Sequence, residues 1–282
     1  MPGPPSPFDD PVPRGFNVVL ATLRIAVAVQ CWGAAGERLH ADGDFGLLKF
    51  LTGPAGFADS AATAVLDKAA WGLLACGFLT LVRPCWPVLI GVTGWFAFVA
   101  AIGGASHNDV LLPVAHGARY LVPLALLLLD FWPPPAKFSL GRAMVALFFL
   151  RLGIVLTFAG YGFVALQQSR AGGPFVELVS GSAANVFRHQ LTTEQAQTAL
   201  GVIGGMNLGL ALGLLLVRSR AMVLFMAAWG GLAAMSHVLA LGPQAWDEVL
   251  ILAASCGGPA SLFFYWWLAV REQPAITVPA GK

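Results

Sequence analysis

Eight stretches of predominantly apolar residues, each close to the length of a membrane-spanning helix, limit how this chain can fold. A helix needs about 20 apolar residues to cross the hydrocarbon core of a bilayer. Backbone polar groups cannot stay unpaired in lipid, so each stretch is predicted to be helical. The expected fold class is an all-α polytopic membrane protein with eight transmembrane helices. The stretches are residues 15–35, 69–84, 86–105, 110–132, 143–167, 196–217, 221–241 and 248–270.

The composition supports a membrane location and excludes several functional classes. Hydrophobic residues make up 57% of the chain and charged residues 11%, whereas soluble domains carry about 25% charged residues. The net charge of +2 comes without a basic run, so no nucleic-acid partner is expected. The four cysteines are scattered without a C-x-x-C pair and are predicted to be core thiols. No hydrolase, kinase or nucleotide-binding signature occurs, which leaves open whether the chain is an enzyme.

Two arginines in matching positions indicate an internal repeat. Arg24 and Arg151 each lie about two turns inside an apolar stretch, and Gly33 and Gly160 follow at the same distance. Long connections follow the first and fifth spans and short ones follow the others, so a four-helix pattern occurs twice. The predicted organisation is a disordered tail at 1–14, a first four-helix repeat at 15–132, a linker at 133–142, a second repeat at 143–270 and a C-terminal tail at 271–282.

The distribution of basic residues predicts the orientation. With eight spans both termini lie on one side, and that side holds eight basic and four acidic residues. The opposite side holds five basic and ten acidic residues. By the positive-inside rule both termini are expected in the cytoplasm. The long loops at 36–68 and 168–195 would then be extracytoplasmic, in a multi-pass protein of the bacterial inner membrane.

Arg24 and Arg151 allow two interpretations. A guanidinium in hydrocarbon costs about 3 kcal/mol or more and therefore needs a partner. The functional interpretation is an internal site for an anionic or carbonyl-bearing ligand, such as a quinone head group. The structural one, which the repetition favours, is an arginine that bonds to helix-end carbonyls or to a carboxylate. Glu248, which opens the last span, is likewise predicted to be a structural intramembrane polar residue.

The fourth span is the most polar and carries the main candidate site. Asp109, His116 and Arg119 are spaced to share one helix face, with Tyr120 beside them. This stripe predicts a proton-coupled or quinone-binding surface, because imidazole titrates near neutrality. The alternative is a polar clamp between the halves. Arg119 has no counterpart in the second repeat, where Gly258 is expected at the matching place, so the first half is predicted to hold the site.

His107 and His237 give a weaker alternative. Both end a predicted span on the outer side, and a histidine from each of two helices can ligate a b-type haem. That arrangement requires the third and seventh spans to face each other. Interfacial capping or hydrogen bonding is the favoured interpretation, so no haem and no other metal is expected.

Residues 149–162, Phe-Leu-Arg-Leu-Gly-Ile-Val-Leu-Thr-Phe-Ala-Gly-Tyr-Gly, resemble the opening of the DoxX-like membrane family. The later pattern is also similar, with two apolar helices joined by a short arginine turn, Glu248, and Gly-Gly-Pro at 257–259. The resemblance implies a four-helix membrane bundle, here duplicated. The family includes the small subunit of a thiosulfate:quinone oxidoreductase. A lysine expected after the glycine of the fifth span is replaced by Ala165 and Leu166.

Three functions follow as hypotheses. The first is an accessory or structural subunit of a larger membrane complex associated with electron transfer, which isolation as a stable lone monomer would contradict. The second is a quinone-binding subunit of an oxidoreductase. It would be refuted if the purified protein retained no quinone and if substitution of His116 and Arg119 left quinone reduction unchanged. The third is a transporter built from parallel repeats, which assays in proteoliposomes would test.

Overall fold

The structure is a computed structural model that describes residues 16–41, 43–107, 109–130 and 140–271. The predicted tails and most of the predicted linker lie outside these residues. Within them the chain is all-helical, with a 3-10 turn at Pro243–Ala245. The α-helices are α1 (Phe16–Ala41), α2 (Leu48–Thr52), α3 (Asp59–Val82), α4 (Trp86–His107), α5 (Leu111–Ala115), α6 (Gly117–Leu129), α7 (Leu140–Ala171), α8 (Pro174–Phe187), α9 (Thr193–Leu216), α10 (Arg220–Leu241), α11 (Trp246–Ile251) and α12 (Ala253–Arg271).

Six of these helices are long and apolar enough to cross a membrane: α1, α3, α4, α7, α9 and α10. The 3-10 turn with α11 and then α12 form a pair bent by 48°, which adds a seventh crossing if the pair is one span. The apolar segment where the fourth span was predicted contains α6, which has only 13 residues. The chain is therefore a multi-pass, all-helical membrane protein.

The predicted fourth span is not one continuous helix, because it breaks at His116 between α5 and α6. Two prolines weaken the backbone ladder around the break, Pro113 in α5 and Pro123 in α6. Proline lacks an N–H, so Pro123 cannot donate to the carbonyl of Arg119 four residues earlier. That carbonyl instead accepts a hydrogen bond of 2.8 Å from Gln30 Nε2 on α1. The predicted helical stripe from Asp109 to Arg119 therefore does not form.

The helices of the two halves correspond in length and order. Helices α3 and α9 have 24 residues each, and α4 and α10 have 22 each. Three residues join α3 to α4, and three join α9 to α10. The last segment of each half is broken, at His116 in the first half and at Leu252 in the second. In both, a proline follows seven residues after the break, Pro123 and Pro259.

This alignment corrects one expected correspondence. When the two breaks and the two prolines are superposed, Arg119 pairs with Ser255 and not with Gly258. The same alignment pairs Leu112 with Glu248. The expected pairing of Arg119 with Gly258 is wrong because the connections before the two last segments differ in length. Short sequence similarities between the halves do not reveal that difference.

The two halves exchange packing partners: the first helix of each half lies against the broken last segment of the other half. Helix α1 packs on α11 and α12, and α7 packs on α5 and α6. Two glycines allow the close approach. A methyl group on Gly33 would lie 2.6 Å from the carbonyl carbon of Leu250, and one on Gly160 would lie 2.9 Å from Ala115 Cβ. One hydrophobic core, containing Leu23 and Leu150, extends through both halves.

Candidate ligand cavity

A cavity of about 750 Å³ lies within the second half. Its walls come from α7, α8, α9 and α10 and from the break between α11 and α12. Val186 and Leu232 in its wall are exposed, so the cavity opens to the surface of the protein. Ligand sites in proteins typically enclose about 300–1,000 Å³. The cavity is therefore large enough for a small molecule.

The wall is mainly apolar, and none of the described residues that line it is Asp, Glu, Lys or Arg. Its polar side chains occur at two levels. One group lies near the middle of the helices, and a second lies near the end of α10 that faces α8. His237 follows Trp229 by eight residues on α10, which corresponds to about 12 Å along the axis. The first group is Thr157, Asn207, Trp229 and Ser255, and the second is Ser182, His189, Ser236 and His237. The hydroxyl-bearing Tyr161 also lines the cavity.

At the first level Asn207 and Trp229 form a hydrogen-bonded pair between α9 and α10. The indole Nε1 of Trp229 donates to Asn207 Oδ1 at 2.9 Å. An indole can only donate, so this bond fixes the amide with its oxygen toward Trp229. The amide nitrogen of Asn207 has no hydrogen-bond partner among the described residues. The side chain thus offers two N–H donors inside an apolar cavity.

Helix α8 covers the second level by packing along α10. Ser182 Oγ donates to the carbonyl of Ser236 at 3.2 Å, and Asn185 Nδ2 donates to the carbonyl of Leu239 at 2.8 Å. The helix begins after Gly173, whose φ of 149° suits only glycine. Its first turn is capped by Gln168, which accepts a 2.8 Å bond from the Phe175 N–H. Helix α8 is thus hydrogen-bonded to α10 and to the C-terminal end of α7.

The corresponding position in the first half is occupied by protein side chains. Trp95 lies ten residues into α4, as Trp229 does in α10. Phe45 packs edge-on against Trp95 with ring centroids 5.4 Å apart, and it is 6% exposed. Phe45 has a positive φ of 56°, which costs about 1 kcal/mol for a residue other than glycine. In the second half the tryptophan at this position borders the cavity.

The sequence-predicted residues of the fourth span lie apart from this cavity. Asp109 Oδ1 accepts a bond of 2.8 Å from the Leu111 N–H and so stabilises the start of α5. Tyr120 donates from its hydroxyl to the Pro113 carbonyl at 3.1 Å, across the break. His116 forms the break itself and lies in electrostatic range of Arg119. None of these four residues is in the cavity wall.

Arg119 belongs instead to a buried polar cluster where α1 meets α6 and α11. Glu37 on α1 interacts electrostatically with Arg119, Glu248 and Asp247. Asp247 is only 3% exposed. Arg119 Nε is buried and has no hydrogen-bond partner among the described residues, and the same holds for Gln30 Oε1. The cluster contains charged groups from both halves, and Glu248 within it is half-buried.

Arg24 and Arg151 have structural partners of the two expected kinds. Arg24 forms an ion pair with Asp130 at the end of α6, with Nε donating to Oδ2 at 2.6 Å. Arg151 donates from Nε to the carbonyl of Leu214 at 2.8 Å and from Nη2 to that of Leu215 at 2.8 Å. These carbonyls end α9, where no intrahelical donor remains. Arg24 therefore binds the end of α6, and Arg151 binds the end of α9.

His237 lines the cavity, while the side chain of His107 lies outside what the structure describes. His237 Nδ1 is 3.2 Å from the carbonyl of Ala234 on its own helix. Helix α4 packs on α6, and α10 packs on α12 and α8. Among the described residues no group of three or more His, Cys, Asp or Glu is placed to hold a metal ion.

Comparison of the chain with models of known families, with characterised proteins and with solved structures finds no match. The cavity wall includes Asn207, which was not among the residues predicted from sequence patterns. The sequence does contain an indication of its importance, because Asn207 is the only amide or charged residue between Thr198 and Val217. A lone amide in an apolar span requires a partner in the protein or in a ligand.

Proposed function

We propose that this membrane protein takes a lipid-soluble molecule from the bilayer into the cavity of its second half. The observation that carries the proposal is the cavity itself, which is apolar, open to the protein surface and large enough for a small molecule. Empty apolar space of this size would forfeit packing energy, because protein interiors are close-packed. An apolar ligand restores those contacts.

An isoprenoid quinone is the first candidate ligand. It combines an apolar tail with a compact head that carries carbonyl oxygens, which suits an apolar wall with a few donors. The resemblance to the DoxX-like family supports the same choice, since that family includes a subunit of a quinone-linked oxidoreductase. In this proposal the chain is a membrane subunit of an assembly that carries out electron transfer. Redox centres would come from partner subunits, which native membranes should yield on gentle purification.

Filling the cavity should remove the ligand. Ala233 is exposed and lines the cavity on α10, whereas Ala228 is exposed on the same helix outside the cavity wall. We expect Ala233→Phe to lower ligand content at least about tenfold, because the ring occupies the ligand's volume. Ala228→Phe should retain the ligand. The measurement is solvent extraction of each purified protein followed by mass spectrometry. Equal ligand content in the two variants would refute the proposal.

We further propose eight crossings with both termini in the cytoplasm of a bacterial cell. The α5–α6 pair would form the fourth crossing and the α11–α12 pair the eighth. Single cysteines at Ala55 and Arg218, in a chain whose four native cysteines are replaced, test the orientation. An impermeant maleimide should label Ala55→Cys in intact cells and Arg218→Cys only after permeabilisation. The reverse pattern, or labelling of both in intact cells, would overturn this topology.

A further inference from the structure

We propose that the cavity selects an uncharged molecule and that the Asn207 side-chain amide donates a hydrogen bond to a carbonyl or ether oxygen of its head group. The inference rests on the proposed function and adds the chemical class of the ligand and the position of its head. The head would lie near the middle of α9, and the apolar part would extend along the cavity toward its opening.

The orientation of Asn207 supports a donor role. The residue is 8% exposed, and its oxygen is engaged by the Trp229 indole at 2.9 Å. Its amide nitrogen has no partner among the described residues. The nitrogen is not one of the fully buried unpartnered atoms of the described residues, so it is accessible from the cavity, where a bound molecule or a water can accept its hydrogen bonds. Because both residues line the cavity, the missing acceptor is expected inside it.

The described lining offers no permanent cation to a charged head group. A phosphate or carboxylate in the cavity would meet no lysine or arginine among the described lining residues. Burying an ion without a counter-ion is strongly unfavourable. The hydroxyls of Ser182 and Ser236 already donate to carbonyls, at 3.2 Å and 2.7 Å. An anionic lipid would therefore meet no permanent cation, because the titratable side chains of the described lining are His189, His237 and Tyr161, whereas a neutral carbonyl needs only the amide of Asn207.

The first half provides a matched contrast. Trp95 occupies the position of Trp229 but packs against Phe45. The position equivalent to Asn207 on α3 is Leu73, a buried residue of the core. The pair of an oriented amide and an indole thus occurs in the half that has the cavity. A purely structural clamp between α9 and α10 is the competing explanation, and it predicts no effect on ligand affinity.

The test measures binding of tritiated decyl-ubiquinone to the full chain in lipid nanodiscs, with oleate as the anionic competitor. We expect Asn207→Leu to weaken binding about tenfold, the effect of one lost hydrogen bond in an apolar site. Trp229→Phe removes the group that orients the amide and should also weaken binding, whereas Trp95→Phe should leave it unchanged. Oleate should not compete. Melting curves establish that each variant is folded.

Two results separate this inference from the proposed function. If Asn207→Leu binds decyl-ubiquinone as the unmodified chain does while Ala233→Phe does not, the cavity binds ligand but the Asn207 contact is wrong. If Ala233→Phe also binds normally, the cavity is not the binding site and the proposed function fails. Competition by oleate, or absence of decyl-ubiquinone binding to the unmodified chain, would overturn the assignment to neutral ligands.

Discussion

Replacing Gly33 or Gly160 by leucine should leave almost no folded protein. Gly33 lies against the backbone of Leu250 and Ile251, and Gly160 lies against the backbone of Ala115. Each contact joins one half to the other. Backbone atoms cannot move aside as a flexible side chain does. Overpacking in a core typically costs about 1–3 kcal/mol, and a clash with backbone at this interface should reach or exceed the upper value.

The measurement is the yield of monodisperse protein after extraction in mild detergent. Gly72→Leu and Gly91→Leu are matched controls, because a Cβ atom added at either position meets no atom within 4 Å. These controls change the same residue type in α3 and α4 and should leave the yield unchanged. Normal yield of Gly33→Leu would contradict the exchanged packing of the two halves.

Asp130→Ala should lower the free energy of unfolding by about 2 kcal/mol, because it leaves the Arg24 guanidinium without its carboxylate. Loss of one partner of a fully buried pair costs about 3–5 kcal/mol. The side chains of Arg24 and Asp130 are 31% and 21% exposed, which reduces the expected value. Stability is measured by thermal melting in nanodiscs. The double variant Arg24→Leu with Asp130→Leu should recover most of the loss, since neither charge remains.

The ion pair between Arg38 and Asp67 is the control for that prediction. Its atoms are 2.8 Å apart, but Asp67 is 48% exposed. Exposed pairs contribute about 0–1 kcal/mol, so Asp67→Ala should have a much smaller effect. If both aspartate variants lose the same stability, or if the double variant is as unstable as Asp130→Ala, the structural role assigned to Arg24 is wrong.

The sequence was sufficient for features that depend on local pattern. Apolar length predicted most of the helices, and the cost of a guanidinium in lipid predicted that Arg24 and Arg151 would need partners. The two partners differ, a carboxylate for Arg24 and the carbonyls that end α9 for Arg151. The exact partners follow from which helix ends meet in space, and residue spacing does not contain that information.

Sequence patterns could not predict the cavity. It depends on the way α8 covers α10, which in turn depends on a few contacts such as that of Asn185 with the Leu239 carbonyl. The cavity also requires that no aromatic side chain fills the space beside Trp229. In the first half Phe45 packs on Trp95, whereas Trp229 borders open space. Periodicity identifies a helix face but not the volume that remains between faces.

The predicted stripe of polar residues in the fourth span requires a helix that continues through His116, where the structure has a break. The break changes the directions of Asp109 and Arg119 relative to each other. Arg119 interacts electrostatically with Glu37, and its backbone carbonyl, which Pro123 cannot bond, accepts a hydrogen bond from Gln30. Proline effects on hydrogen bonding are local, but the position of a break within a span depends on packing against α1 and α7.

A cryo-electron microscopy map of the full chain, purified from native membranes into lipid nanodiscs, would show whether a ligand occupies the cavity. We expect elongated non-protein density inside the cavity between α7, α8, α9 and α10. Its head should lie within about 3.5 Å of Asn207 Nδ2, the limit for a hydrogen bond through the amide. A map with well-resolved side chains in which this cavity is closed by protein, or is open and contains no density, would contradict the account.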